Sequence, residues 1–511
     1  MRFIASRKRA RNVRFRLFQF PEKGGGKKVS RRVLQLLYPA VIFAVYLHFC
    51  ELYLYRDFWF DEALTVLNFA LQENLIDIYW NYPIPNNQIL FTFLVRLWLT
   101  FQPIGMESTL WLRLLPCLLG GATLAAIYCL FKSRVGGGKI LLPVLAAAAA
   151  APPFLIYATA VRGYMASALW ITFALHFALR FARKREWRSW SKYAFFCLLT
   201  VGTIPSNLAV LAGVVLYALP LFGERFWKNR SFWLLAAAPP AMFALFYLPI
   251  LPQFLTVMRL GEGWQSGTDV LIAVLASLAY SFGFLLIPAT GCLLAFKRPN
   301  YNFLWSARAA IWLLPIPMAL LLKTAPFPRV FFPFWPLWIL LIAGGIRDLT
   351  AWACRRKHRW NQAVWIGALT LVVIGWGVLS NREEPRLAFS RRTGGAEADD
   401  YFYGYYLRDT HRPRLTMRQL RERFPDVVPR IYLSFLADPW PLVLYGDLYG
   451  ISVGDENYCL LQGPNGPATE IGRRSLVILR ADESPAELEK KFHCKLRKLF
   501  ENVNHGVYQV E

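Results

Sequence analysis

The sequence predicts a polytopic α-helical membrane protein of about eleven transmembrane helices, followed by a C-terminal α/β domain outside the membrane. Three observations predict it. Of 511 residues, 56% are hydrophobic and only 18% are charged. Apolar runs recur every 20 to 40 residues, each near the ~20 residues a helix needs to cross ~30 Å of hydrocarbon. Lys and Arg, which carry the net charge to +26, collect in the short loops between those runs, as the positive-inside rule describes. This placement accounts for the basic balance without a nucleic-acid partner.

Residues 1–32 form a basic tail with a Gly24-Gly25-Gly26 break and Glu22 as its single acid. No small-residue cleavage site follows the first apolar run, so that run is expected to stay as an anchor. The tail is expected in the cytoplasm, touching anionic lipid.

Residues 33–380 form the membrane domain. Spans are predicted near 33–50, 109–131, 140–158, 164–180, 193–205, 207–222, 231–250, 271–295, 305–322, 330–346 and 362–380. The basic loops at Lys132-Ser133-Arg134, 180–192, 223–230, 297–298 and 354–359 are expected on the cytoplasmic side. An odd number of crossings then puts the N-terminus inside and the C-terminal region outside. The apolar stretch 86–102 is left out of the count, because a crossing there would turn every later basic loop to the wrong face. It is read as a helix lying at the interface. With it, residues 51–108 make one large outer loop holding Asp57, Asp61, Glu62, Glu73, Asp77 and Glu107.

Residues 381–511 change character, with shorter apolar runs and regular charges. A capping box at Thr416–Gln419 predicts a helix ending before Pro425. Arg430–Leu436 alternates like a strand, and Trp440–Tyr445 reads as strand or helix start. Ser475–Leu479 reads as a strand. Ser484-Pro485-Ala486-Glu487 predicts a helix running to about Phe500. His505–Val510 reads as a closing strand. Cys459 and Cys494 are the two cysteines of this region, and a disulfide or a free pair both fit an outer domain. No CxxC or HxxxH spacing occurs, so a zinc or haem site of that kind is not expected.

Carboxylates are expensive near a bilayer, so the Asp61-Glu62 pair at the mouth of the first span marks either chemistry or a solvated helix start. Arg162 and Arg329 fall at predicted outer span ends, where the choice lies between anion binding and interfacial anchoring. Arg113 could pair with Glu107.

An Asp-Glu pair after the first span resembles the GT-C glycosyltransferase superfamily. Its bacterial protein-mannosyltransferase-like branch, with protein O-mannosyltransferases and the lipid A aminoarabinose transferase, offers further likenesses. Tyr82-Pro83-Ile84-Pro85-Asn86-Asn87-Gln88-Ile89-Leu90 resembles that branch's Pro/Asn/His segment. Leu112-Arg113-Leu114-Leu115-Pro116 resembles its Arg-led second span. Ala160-Val161-Arg162-Gly163-Tyr164 resembles its Arg-x-Tyr signature, and Pro328-Arg329-Val330-Phe331-Phe332-Pro333 its late Arg-Tyr-Pro segment. The likeness spans roughly residues 30–350. Gln88 stands where many relatives have His, and Gln cannot act as a base.

The resemblance implies a multi-pass enzyme of the bacterial cytoplasmic membrane. It would move a sugar from a polyprenyl-phosphate donor to a protein, lipid or glycan acceptor on the outer face. It implies Asp61 as base, with Glu62 orienting it or binding acceptor. Arg162, Arg329 and Lys323 would hold the donor phosphate. Asn86, Asn87, Gln88 and Tyr164 would line the substrate site. A divalent ion, Mg or Mn, on Asp61 and Glu62 is an open expectation. A lipid-carrier or sugar transporter and a non-catalytic sugar-binding protein are the competing classes. A transporter should show repeated halves with matching broken helices.

Overall fold

The computed structural model describes residues 27–84, 87–135, 138–260, 308, 310–322, 328–356, 412–451, 458–461, 471–502 and 504–511. By contact the chain forms two compact units, residues 1–41 and residues 42–511. Residues 27–41 of the first are helical, within α1 (Lys27–Leu54).

In the second unit a short segment of loop helices comes first. Helix α2 (Phe60–Thr65) runs into a π-helical turn at Val66–Ala70, and α3 (Asp77–Trp80) and α4 (Ile89–Leu99) follow. With 11 residues, α4 reaches about 16 Å and is too short to cross a bilayer. The bundle then comprises α5 (Ser108–Phe131), α6 (Gly138–Ala150), α7 (Pro152–Thr159), α8 (Tyr164–Lys184), α9 (Trp187–Thr203), α10 (Asn207–Ala218), α11 (Arg230–Tyr247) and α12 (Leu251–Leu260). After the undescribed stretch come α13 (Pro315–Leu322), α14 (Pro328–Phe331) and α15 (Trp335–Arg356).

Among the described residues, four helical stretches are long and apolar enough to cross a membrane: Ser108–Phe131, Tyr164–Lys184, Arg230–Arg259 and Arg329–Arg347. The predicted span 140–158 is not straight. It breaks between α6 and α7 with a 65° bend, and counts as a fifth only if the bent pair is one span. The cause is Pro152-Pro153. Pro152 takes the first position of α7, and Ala151 before it is forced into extended backbone. Helices α9 and α10 have 17 and 12 residues. The predicted spans 271–295 and 362–380 lie outside the described residues, so eleven crossings are not reached among those described.

Small residues let the helices approach. Ala174, Ala178 and Ala182 lie four apart on α8 and are buried, with α5 and α9 packed alongside. At Gly120 of α5 an added Cβ would strike the Tyr46 hydroxyl of α1, which donates to the Cys117 carbonyl at 2.6 Å. The antiparallel path sorts the helix ends. The ends of α7 and α9 and the starts of α8 and α15 lie toward α2. At the opposite end Arg347 donates to the Arg134 carbonyl at 3.2 Å.

The C-terminal residues build a five-stranded sheet of order β2-β1-β3-β5-β4. Its strands are β1 (Ile431–Leu433), β2 (Tyr458–Leu460), β3 (Leu476–Arg480), β4 (Leu496–Glu501) and β5 (His505–Val510). Strand β1 runs parallel to β2 and β3, while β5 is antiparallel to β3 and β4. Its helices are α16 (Pro413–Arg423), α17 (Pro439–Leu448) and α18 (Pro485–Phe492). Residue alternation splits its two faces. Ile431, Leu433, Leu476, Ile478 and Val507 share one core with Phe58, Ala63, Val66 and Ala70 of the first loop. Tyr432, Val477, Leu479 and Tyr508 pack against Leu488 and Phe492 of α18 on the other.

Two expectations for this region change, and the open choice at the cysteines narrows. Helix α16 starts three residues before Thr416, because Pro413 occupies its first turn. Helix α18 stops at Phe492, where His493 takes a left-handed conformation, and Leu496–Glu501 is strand rather than helix. Cys494 is a free thiol. It precedes β4 on one edge of the sheet, whereas Cys459 lies in β2 on the other, and strands spaced ~4.8 Å apart leave no disulfide geometry across five of them.

Candidate active site

The loop after α1 reaches the site through Trp59, which caps α2. Glu62, at the third helical position, turns back to accept the Trp59 N–H at 3.3 Å. This locks the first turn and sends Asp61 and Glu62 in different directions. Glu62 is 1% exposed. Its Oε2 pairs with Arg113 Nη2 at 2.9 Å, and its Oε1 accepts the Val161 N–H at 2.6 Å. Burial pushes the Glu62 carboxyl upward, opposed first by the Arg113 charge and then by these N–H groups.

Arg113 is spent on the same strut. It donates to the Thr159 carbonyl at 2.8 Å and the Asp57 carbonyl at 3.0 Å, and stacks over Phe58 at 4.7 Å. The expected pairing of Arg113 with Glu107 is therefore replaced. Glu107 stands at the position before the first residue of α5, and six residues on at 100° each Arg113 leaves by another face. Glu107 binds Arg414 of α16 at 2.5 Å instead.

Asp61 is 18% exposed and meets Arg329 Nη1 at 3.1 Å. The Arg329 guanidinium also lies over the Trp59 ring at 5.1 Å. Arg162 is buried under the same turn. Its Nη1 donates to Thr65 Oγ1 at 2.6 Å and approaches the Asp61 carbonyl at 3.4 Å. Four candidates from three distant stretches of the sequence thus converge: Asp61 and Glu62, Arg162, and Arg329.

Gln88 joins them indirectly. Its Oε1 accepts the Gly163 N–H at 2.5 Å, holding the α7–α8 turn that carries Arg162. Asn87 works elsewhere. It donates to the Ile78 and Asn81 carbonyls at 2.9 and 3.0 Å and accepts from Thr92. Tyr164 is buried in the bundle core against Tyr157, ring centres 5.1 Å apart. Asn86 and Lys323 lie outside the described residues. Both Glu62 oxygens already accept N–H groups, so Glu62 does not fit as a metal ligand. Among the described residues no cluster of three or more His, Cys, Asp or Glu side chains has metal-binding placement.

The C-terminal region supplies groups that the sequence reading missed. Asp57 Oδ2 accepts the Arg414 N–H at 2.9 Å, and the Tyr445 hydroxyl of α17 accepts the Phe58 N–H at 2.9 Å. Burial lifts the Asp57 carboxyl to about 6 against the pull of Arg414. Phe60 and Phe435 meet edge to face at 6.0 Å. This contact seats the turn that precedes Asp438, at the start of α17, on the first residue of α2. Burial and then the Asp61 charge raise its carboxyl to about 7. The one sequence signal for this was Asp438-Pro439, a helix-start dipeptide.

No protein-family model matches the chain, and no curated protein sequence matches it. Among solved structures, it is similar to the crystal structure of ArnT from Cupriavidus metallidurans bound to undecaprenyl phosphate. The TM-score is 0.49 and the identity 14%, over 93% of this chain and 97% of that chain. A similarity of that degree assigns this chain neither an activity nor a substrate.

Proposed function

We propose that this chain is a membrane glycosyltransferase of GT-C type. It transfers a sugar from a polyprenyl-phosphate donor to an acceptor at the Asp61 end of the bundle, on the outer face of the membrane. One observation carries the reading. At the mouth of an apolar bundle, a partly exposed carboxylate, Asp61, shares its turn with two guanidinium groups, Arg329 and Arg162. A general base and cations for a phosphate leaving group are what this transfer requires.

In the resting site Arg329 holds Asp61. A donor phosphate competes for that guanidinium and releases Asp61 to act as base, with Arg162 adding positive field from below. The acceptor oxygen then bonds to the anomeric carbon as the bond to the phosphate oxygen breaks. The acceptor proton goes to Asp61, and the polyprenyl phosphate leaves with the electron pair. A single displacement of this kind inverts the anomeric centre. Glu62 acts as a strut that orients Asp61 rather than as an acceptor ligand. Transport is the weaker reading, since among the described residues one bent helix pair occurs, with no counterpart in a matching position.

The test is turnover of a panel of undecaprenyl-phosphate-linked sugars by the purified protein in nanodiscs, read as sugar and undecaprenyl phosphate released. Asp61→Asn should bind the same donor and lose about 10²–10⁴-fold in turnover. Full turnover by that variant would overturn the reading.

A further inference from the structure

The basic loop Lys132-Ser133-Arg134 follows α5 at the end of the bundle away from Asp61. A loop cation that only sets membrane orientation keeps its charge in water. Arg134 instead turns inward. Its guanidinium lies over the ring of the buried Phe131 at 5.5 Å, and its Nη1 is shut off from solvent without an acceptor. The same ring meets His176 of α8 edge to face, with centres 6.2 Å apart. Nδ1 of that imidazole is likewise enclosed and without a partner. Phe131 thus gathers two unsatisfied nitrogens, from a loop and from a helix, around one ring. Leaving such groups buried and unbonded is costly.

Further cations stand around them. Arg347 of α15 reaches this loop and donates to the Arg134 carbonyl at 3.2 Å. Arg183 lies seven residues, about two turns, beyond His176 on the same face of α8 and is exposed. The acid just past α8, Glu186, is already held by Arg180 at 3.3 Å and Lys184 at 3.6 Å.

We propose that Arg134 and His176 form an anion site that binds a phosphate group at the end of the bundle opposite Asp61, with Arg347 and Arg183 adding positive field at its rim. A phosphate presents oxygens in several directions, so one group accepts from the Arg134 fork and from the Nδ1–H tautomer of His176 together. The phosphate arrives on a lipid head group or as the free ion. The site does not depend on the transferase reading, whose phosphate lies at the other end.

The test titrates the full chain in detergent with sodium phosphate against sodium chloride at equal ionic strength. A parallel titration sets dihexanoyl phosphatidylglycerol against dihexanoyl phosphatidylcholine, and both are read as unfolding temperature. The native chain should be stabilised. Stabilisation by the anionic lipid alone assigns a head group, by phosphate alone the free ion, and by both a site open to either. Arg134→Met and His176→Phe keep bulk and remove one donor each. Each should weaken the apparent affinity for the anion about tenfold. Without anion the unfolding temperature should hold or rise, because an unsatisfied buried group is gone. A purely structural role would lower it with and without anion alike, and such a result overturns the site. Phosphate bound at Arg329 would stabilise native chain and variants equally. An undiminished response in either variant, or no stabilisation of the native chain by either probe, therefore overturns the site as well.

Discussion

A helix turns 100° per residue, so Asp61 and Glu62 leave α2 on different sides and meet different worlds. Glu62 enters a dry pocket and binds Arg113 there. Removing one partner of a buried pair leaves the other charge uncompensated. Glu62→Gln should therefore cost about 3 kcal/mol or more and lower the unfolding temperature in detergent by several degrees. Asp61→Asn breaks a half-open pair and should cost about 1 kcal/mol or less while removing turnover. An unchanged melting temperature in Glu62→Gln would refute the strut. Asp57 adds a pH dependence. Its carboxyl titrates near 6 when folded and near ~3.9 when unfolded. Between those values the folded state holds the extra proton, so the contribution of Asp57 to stability is greatest in acid and falls as pH rises through about 6. Asp57→Asn keeps an oxygen for the Arg414 N–H and cannot titrate. The loss of stability from pH 5 to 7 should be shallower in that variant, by roughly 2 kcal/mol at most, as read by thermal unfolding across that range.

The element that matters most to the site is the turn between α7 and α8. Gly163 there has an ordinary φ of -71°, so its need for glycine is steric, not conformational. A Cβ would lie 2.5 Å from Thr203 Cγ2 and 3.0 Å from Gln88 Oε1. Gly163→Ala should lower both stability and turnover, because the turn that carries Arg162 must shift. Thr203→Ser removes the nearest obstacle and keeps the hydroxyl that bonds the Leu199 carbonyl. It should recover part of the loss in the double variant, and strict additivity would refute the steric account. Among the described residues the places of the helices were legible in apolar length, down to the short α4. The α6–α7 bend was not read, although Pro152-Pro153 signals it, because hydropathy averages over a break. Strand β4 was taken for helix because Leu496-Arg497-Lys498-Leu499-Phe500 fits either period, and only pairing with β5 decides.

At the scale of the molecule, the first loop and the C-terminal sheet share one core, and hydrogen bonds tie them. Tyr445→Phe would leave the buried Phe58 N–H without its acceptor, at a cost of about 1–3 kcal/mol. Amide hydrogen exchange should then speed up in residues 57–65 and in α17 together. Acceleration in one alone would mean that the two do not open as a unit. None of this was legible beforehand. A sequence shows that Asp57, Asp438 and Tyr445 exist, but contacts across hundreds of residues leave no local period to read. That separation also gives the site a schedule. Glu62 finds Arg113 only 51 residues further on, within ~3–10 s of synthesis at ~5–20 residues per second. The Tyr445 hydroxyl follows Phe58 by 387 residues, roughly 20–80 s at the same pace. A nascent chain therefore fixes its strut early and ties its first loop to the C-terminal sheet last, so an interrupted product carries a seated Glu62 without the Tyr445 bond behind it.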